Sequence, residues 1–131
     1  MKTILVDAVH TFVIEGDEGV FGPFGKMHKM LEDFPNRKII LTSANDEQFK
    51  KFDLGNMPYE VFTLKHSPEK TDPEYYKKML EHFALKAEDV VYFEHGVKAI
   101  ESAKSVNIKT HYWDSESKPL RELVVFLENN T

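Results

Sequence analysis

The sequence predicts an α/β fold: a mostly parallel sheet covered by helices on both faces. Two patterns carry that prediction. Five short apolar runs alternate along the chain with segments in which apolar residues recur at helical spacing, and strands that alternate with helices build parallel sheets buried on both sides. Several of the runs also close on polar residues, with Asp7, Thr42 and Glu94 standing at or just past their ends, where open α/β sheets place their chemistry.

Lys2 to Val6 reads as a buried strand, an apolar run ended by Asp7. Glu15-Gly16-Asp17-Glu18-Gly19 is a turn signal, so Phe12 to Phe21 reads as a small hairpin. Gly22-Pro23-Phe24-Gly25 breaks the chain again. Met27, Met30, Leu31 and Phe34 then mark one face of a helix that Pro35-Asn36 ends. Lys38 to Leu41 is the second strand. Asn45 or Asp46 can cap a short helix carrying Phe49 and Phe52, and Leu54 to Pro58 is a loop. Tyr59 to Leu64 is the third strand, followed by a polar loop from Lys65 to Asp72. Asp72-Pro73 begins the next helix, a cap residue followed by a proline whose missing N–H costs nothing there. Its apolar face is Tyr76, Met79, Leu80 and Phe83. Val90 to Phe93 is the fourth strand, and a helix with Val97, Ile100 and Ala103 follows. Ile108 to Trp113 is the fifth strand. The last helix carries Leu120, Leu123, Val124 and Leu127, and Asn129-Asn130-Thr131 are expected to fray.

A chain of 131 residues, 41% hydrophobic and 30% charged, reads as a single globular domain spanning 1–131. Its net charge of −5 argues against a nucleic-acid partner, because phosphate contacts favour a basic face. The absence of cysteine excludes disulfides and thiol chemistry. No apolar run approaches the roughly 18 residues of a membrane span, and no signal peptide is visible, so a cytoplasmic protein is expected.

The residues after the strands form the candidate site: Asp7 to Thr11 after the first, Thr42 and Ser43 after the second, Lys70 in the loop after the third, and Glu94 with His95 after the fourth. A carboxylate can attack phosphorus or carbon. A hydroxyl and an ammonium can hold phosphate oxygens. Further acids can hold Mg²⁺.

This arrangement resembles the haloacid dehalogenase-like (HAD) superfamily along nearly the whole chain. The family's first motif, apolar residues and then Asp-x-Asp-Gly-Thr, stands as Ile4-Leu5-Val6-Asp7-Ala8-Val9-His10-Thr11. The hairpin after it is similar to the family's squiggle and flap. The second motif matches Ile39-Ile40-Leu41-Thr42, the third stands as Lys70-Thr71-Asp72-Pro73, and the fourth as Val91-Tyr92-Phe93-Glu94-His95. The resemblance implies a three-layer Rossmannoid domain with five parallel strands in the order third, second, first, fourth, fifth. The segments between the first three motifs are too short for a large cap domain. It further implies Asp7, Thr42 and Lys70 as catalytic residues and Thr11 and Ser43 as substrate-binding residues. A Mg²⁺ ion, if held at all, would take Asp7, Glu94 and the Val9 backbone carbonyl.

The departures bear on activity. The second Asp of the first motif, a general acid/base in the family's phosphatases, is Val9, and losing a general acid typically costs about 10²–10⁴-fold. The Gly after it is His10. The Gly-Asp of the fourth motif is Glu94-His95, which leaves one carboxylate where Mg²⁺ wants near-ideal octahedral oxygen geometry. His10 and His95 beside Asp7 and Glu94 suit a transition metal instead, or simply line a cleft. Blander roles stand beside the others. Asp7 can be a turn carboxylate, Thr42 a strand-end hydroxyl, Lys70 a solvated loop lysine and Glu94 a turn residue. Phe21 and Phe24 can form a docking surface or pack on the first helix.

Two functions follow. One is a hydrolase in which Asp7 attacks a phosphoester. The other is an inactive HAD-like domain that binds a phosphorylated ligand or a protein partner. An open site suits a phosphorylated small molecule or macromolecule, and an aromatic flap suits a homodimer.

Overall fold

The computed structural model describes residues 1–131. In chain order the elements are β1 (Thr3–Asp7), β2 (Val13–Glu15), β3 (Phe21–Pro23), α1 (Gly25–Leu31), β4 (Lys38–Thr42), α2 (Asp46–Lys51), β5 (Glu60–Thr63), α3 (Pro73–His82), β6 (Val90–Glu94), α4 (Val97–Ser105), β7 (Lys109–Tyr112) and α5 (Leu120–Asn130). Five strands form one sheet in the order β5-β4-β1-β6-β7, and every pairing in it is parallel. This is the order third, second, first, fourth, fifth. The strand order reverses direction at β1, so the crevice beyond the carboxyl ends of β1, β4 and β6 is the place such sheets keep for ligands.

Strand alternation divides the core into two layers. Ile4, Val6, Ile40, Val91 and Phe93 face one side, with Met27 and Leu31 of α1 and Leu123 and Leu127 of α5. Leu5, Ile39, Leu41 and Tyr92 face the other, with Tyr75, Tyr76 and Met79 of α3 and Ala103 of α4. The methionine and aromatic stripes are therefore core. Local signals set the helix starts. Asn45 and Gln48 form a reciprocal cap on α2, Gln48 N–H donating to Asn45 Oδ1 at 2.9 Å and Asn45 N–H to Gln48 Oε1 at 3.0 Å. The Asp72 carboxylate accepts the Glu74 N–H at 2.9 Å ahead of Pro73 at the first turn of α3.

Some boundaries differ from the sequence reading. The first helix stops at Leu31, and the chain tightens through turn bonds from Asp33 N–H to Met30 O and from Phe34 N–H to Leu31 O. Phe34 still packs on the core. The C-terminus does not fray: α5 runs to Asn130, whose Nδ2 donates to Phe126 O at 2.7 Å, and the Thr131 hydroxyl donates to Leu127 O. Those side chains satisfy carbonyls that the helix end would leave open. The flap aromatics turn inward. Phe21 meets Phe52 edge-on at 4.8 Å and Phe24 lies 6.3 Å from Trp113. Only the β2–β3 hairpin and α1 lie between β1 and β4, and only α2 and a short turn between β4 and β5, so neither interval holds a cap domain. No helix is long and apolar enough to cross a membrane.

Trp113 is fully buried and its indole N–H donates to Pro119 O at 2.8 Å, tying β7 to the start of α5. Trp113→Ala should cost about 3–5 kcal/mol, read as a lower urea midpoint of unfolding.

Candidate active site

The register of the sheet assembles the site. Asp7 ends β1 opposite Leu41 of β4, and Val6 lies opposite Phe93 of β6, which brings Asp7 level with Glu94. Both carboxylates are buried. The loop between β5 and α3 then delivers Lys70. It is anchored by its own backbone, Lys70 N–H donating to Ser43 Oγ at 3.1 Å, and by the Ser102 hydroxyl, which donates to Thr71 O at 2.6 Å. The Lys70 ammonium donates to Asp7 Oδ1 and, at 2.8 Å, to Glu94 Oε1.

The remaining carboxylate oxygens are also engaged. Asp7 Oδ2 accepts the Thr11 hydroxyl at 2.6 Å and lies 2.5 Å from His95 Nδ1, which must therefore carry its proton. Glu94 Oε1 accepts the Tyr92 hydroxyl at 2.7 Å, while Oε2 accepts the backbone N–H groups of His95 at 2.9 Å and Gly96 at 3.2 Å. Above this buried layer lies a cleft of 310 Å³, edged by Val9, His10, Thr42, Ser43, Lys70 and His95. The Thr42 hydroxyl accepts the Ala44 N–H at 3.2 Å, and its own proton remains available to donate.

Electrostatics follow from burial and pairing. Burial and the neighbouring Glu94 charge push Asp7 above its ordinary value, against the pull of Lys70 and of the His95 hydrogen bond. Burial likewise opposes the Glu94 charge, but Lys70 and the His95 donors overcome it and hold that carboxyl well below the usual range. Lys70 is desolvated, yet Asp7 and Glu94 keep it charged well above the ordinary lysine value. The hydrogen bonds to Asp7 and Glu94 raise His95 to about 10, so the ring is an imidazolium at neutral pH.

The structure brings together Asp7, Lys70, Glu94 and His95, with Thr42 and Ser43 at the rim. Two sequence expectations need correction. Thr11, assigned to the substrate, is fully buried and gives its proton to Asp7. His10 does not join His95 on the carboxylates: at φ 71° the turn carries it to the exposed rim, where its ring meets His95 edge-on at 5.7 Å. The ligand atoms that do converge, within 4.8 Å of one another, belong to Asp7, Glu94 and His95. Tyr92 was read only as strand core. Its place two residues before Glu94, on the same face of β6, was the signal that its hydroxyl would reach that carboxylate.

No protein-family model matches the sequence, and no curated protein sequence matches it either. Solved structures do match. A HAD family enzyme from Bacteroides thetaiotaomicron, crystallised with magnesium and inorganic phosphate, superposes with a TM-score of 0.67 at 12% identity, over 88% of this chain and 95% of that one. The chain has the HAD-like fold. A HAD-superfamily hydrolase from Geobacter sulfurreducens gives a TM-score of 0.65 at 10% identity, over 86% of this chain and 87% of that one. A haloacid dehalogenase-like protein from Agrobacterium tumefaciens gives 0.60 at 15% identity, over 71% of this chain and 46% of that one. The HAD-like order of strands is what sets Asp7 at the centre of the crevice.

Lys70→Met should remove about 3–5 kcal/mol of stability by leaving two buried carboxylates without their shared cation, and urea unfolding at neutral pH measures it. His95 gives a pH signature. Its folded value of about 10 lies above the ordinary histidine value, so the stability it adds is complete below about pH 6.5 and is lost as pH rises toward 10. The stability gap between wild type and His95→Asn, followed by urea unfolding from pH 6 to 10, should narrow across that window.

Proposed function

We propose that the cleft is a phosphoryl site and that the chain hydrolyses phosphate monoesters through Asp7. The observation that carries this reading is the contact of the Asp7 carboxylate with the Lys70 ammonium beneath the cleft that Thr42 edges. It draws support from the HAD-like fold and from the phosphate bound by the Bacteroides thetaiotaomicron enzyme of the same fold.

In this reaction an Asp7 oxygen attacks phosphorus, the bond from phosphorus to the leaving group breaks, and the leaving group departs with its electron pair. Lys70 and the Thr42 hydroxyl hold the phosphoryl oxygens as charge builds on them. Water then attacks the aspartyl phosphate, releasing inorganic phosphate and restoring Asp7. Thr11 and His95 keep the carboxylate oriented throughout. Ser43 serves by fixing the Lys70 backbone.

Val9 shapes the substrate. A valine beside the reacting centre cannot protonate a departing alkoxide, so the site suits leaving groups that are stable as anions, such as those of acyl and aryl phosphates. The open cleft admits a phosphorylated small molecule or a modified side chain on a macromolecule. Val9 also favours a second reading, a domain that binds a phosphorylated ligand without turning it over.

Acetyl phosphate and p-nitrophenyl phosphate should be hydrolysed about 10²–10⁴-fold faster than glycerol phosphate, with Asp7→Asn abolishing turnover of all three. Binding of phosphate with no turnover above the Asp7→Asn level would select the second reading. Equal rates on alkyl and acyl phosphates would sink the leaving-group argument.

A further inference from the structure

The geometry points to a site that takes no divalent cation, because the Lys70 ammonium and the His95 ring already stand on Asp7 and Glu94 where such an ion would have to bind. This deepens the phosphoryl reading above and concerns the same cleft.

Magnesium is the ion the fold brings to mind, since the Bacteroides thetaiotaomicron enzyme was crystallised with it. The donor set here does not fit it. Mg²⁺ takes near-octahedral oxygen ligands at about 2.0–2.1 Å, and two ligands at a right angle around it then stand about 2.9 Å apart. His95 Nδ1 and Asp7 Oδ2 are 2.5 Å apart, which is a direct hydrogen bond and too close for both atoms to ligate one ion. A tetrahedral Zn²⁺ would need its ligands farther apart still.

The other oxygens are engaged as well. Asp7 Oδ1 accepts from Lys70 and keeps one lone pair, enough to attack phosphorus but only a single ligand for a cation. Glu94 Oε1 accepts from Lys70 and Tyr92, and Oε2 from two backbone N–H groups of its own loop. These donors are not loose surface groups. Tyr92 and Thr11 are fully buried, and the backbone of Lys70 is tied to Ser43. A cation could gain a second ligand from this cluster only by breaking the Asp7–His95 bond or by expelling Lys70.

The decisive measurement is metal uptake by the intact protein. Mn²⁺ serves as the probe, because its free form gives an electron paramagnetic resonance signal that is lost on binding. Protein stripped with EDTA and exchanged into buffer is titrated with Mn²⁺. The wild type should leave the signal undiminished, and Mg²⁺ or Zn²⁺ should not raise its melting temperature. His95→Asp, which removes the ring from Asp7 and supplies an oxygen ligand, should gain Mn²⁺ uptake. Stoichiometric Mn²⁺ uptake by the wild type, abolished by Asp7→Asn, would overturn the inference whether or not His95→Asp folds. A parallel arm separates this from the phosphoryl reading by following the melting temperature with inorganic phosphate in EDTA. No phosphate response in EDTA or in Mg²⁺ would remove the phosphoryl reading and leave the exclusion of metal standing. A phosphate response that appears only with Mg²⁺ would keep the phosphoryl reading and overturn the inference.

Discussion

The Lys70 ammonium lying between the Asp7 and Glu94 carboxylates is the contact around which the site is organised. In a medium of low dielectric none of the three charges could persist alone. Each comes from a different part of the chain, the end of β1, the end of β6 and the loop before α3, so the pairing fastens three segments at the crevice. Such a cluster is a poor way to gain stability, since apolar residues of similar volume commonly do as well or better. Buried groups with shifted protonation that face a cleft are the ordinary mark of a working site.

The cleft sets a buried carboxylate beside an ammonium, with the Thr42 hydroxyl at its edge and the His95 ring hydrogen-bonded to Asp7. Val9 cannot move a proton, so the proposed hydrolysis through Asp7 has to rely on a leaving group that needs none. With no cap domain between β1 and β5, the fold leaves room above the cleft for a bulky ligand.

Around the site, the fold holds each group through bonds that are not themselves chemical actors. Ser43 receives the Lys70 backbone, Ser102 binds the next residue of the loop, and Tyr92 supports Glu94 from beneath. Tyr75 adds a hydroxyl bond to Thr42 O at 2.8 Å from the opposite layer, which braces the end of β4 where the cleft begins. The aromatic layer of α3 thus carries part of the positioning as well as the packing.

The sequence by itself determined the architecture and the floor of the site. Local period and caps are short-range properties, so the alternation of strands and helices, the apolar faces and the start of α3 at Asp72-Pro73 were legible without tertiary information. The strand order and the grouping of Asp7, Thr42, Lys70 and Glu94 came through the motif resemblance, and the sheet agrees with both. The tertiary structure alone decided which hydrogen-bond partners those side chains take. Thr11 turns inward to Asp7, His10 is carried out to the rim by one positive-φ residue, His95 closes on Asp7, and Tyr92 reaches Glu94. Apart from the Tyr92–Glu94 pair, whose spacing on one strand was a signal, those outcomes depend on the level at which neighbouring strands meet and on a single backbone rotation, neither of which leaves a trace in composition or spacing. The sequence already showed a single carboxylate in the fourth motif, whereas the donors that occupy Asp7 and Glu94 are visible only in three dimensions.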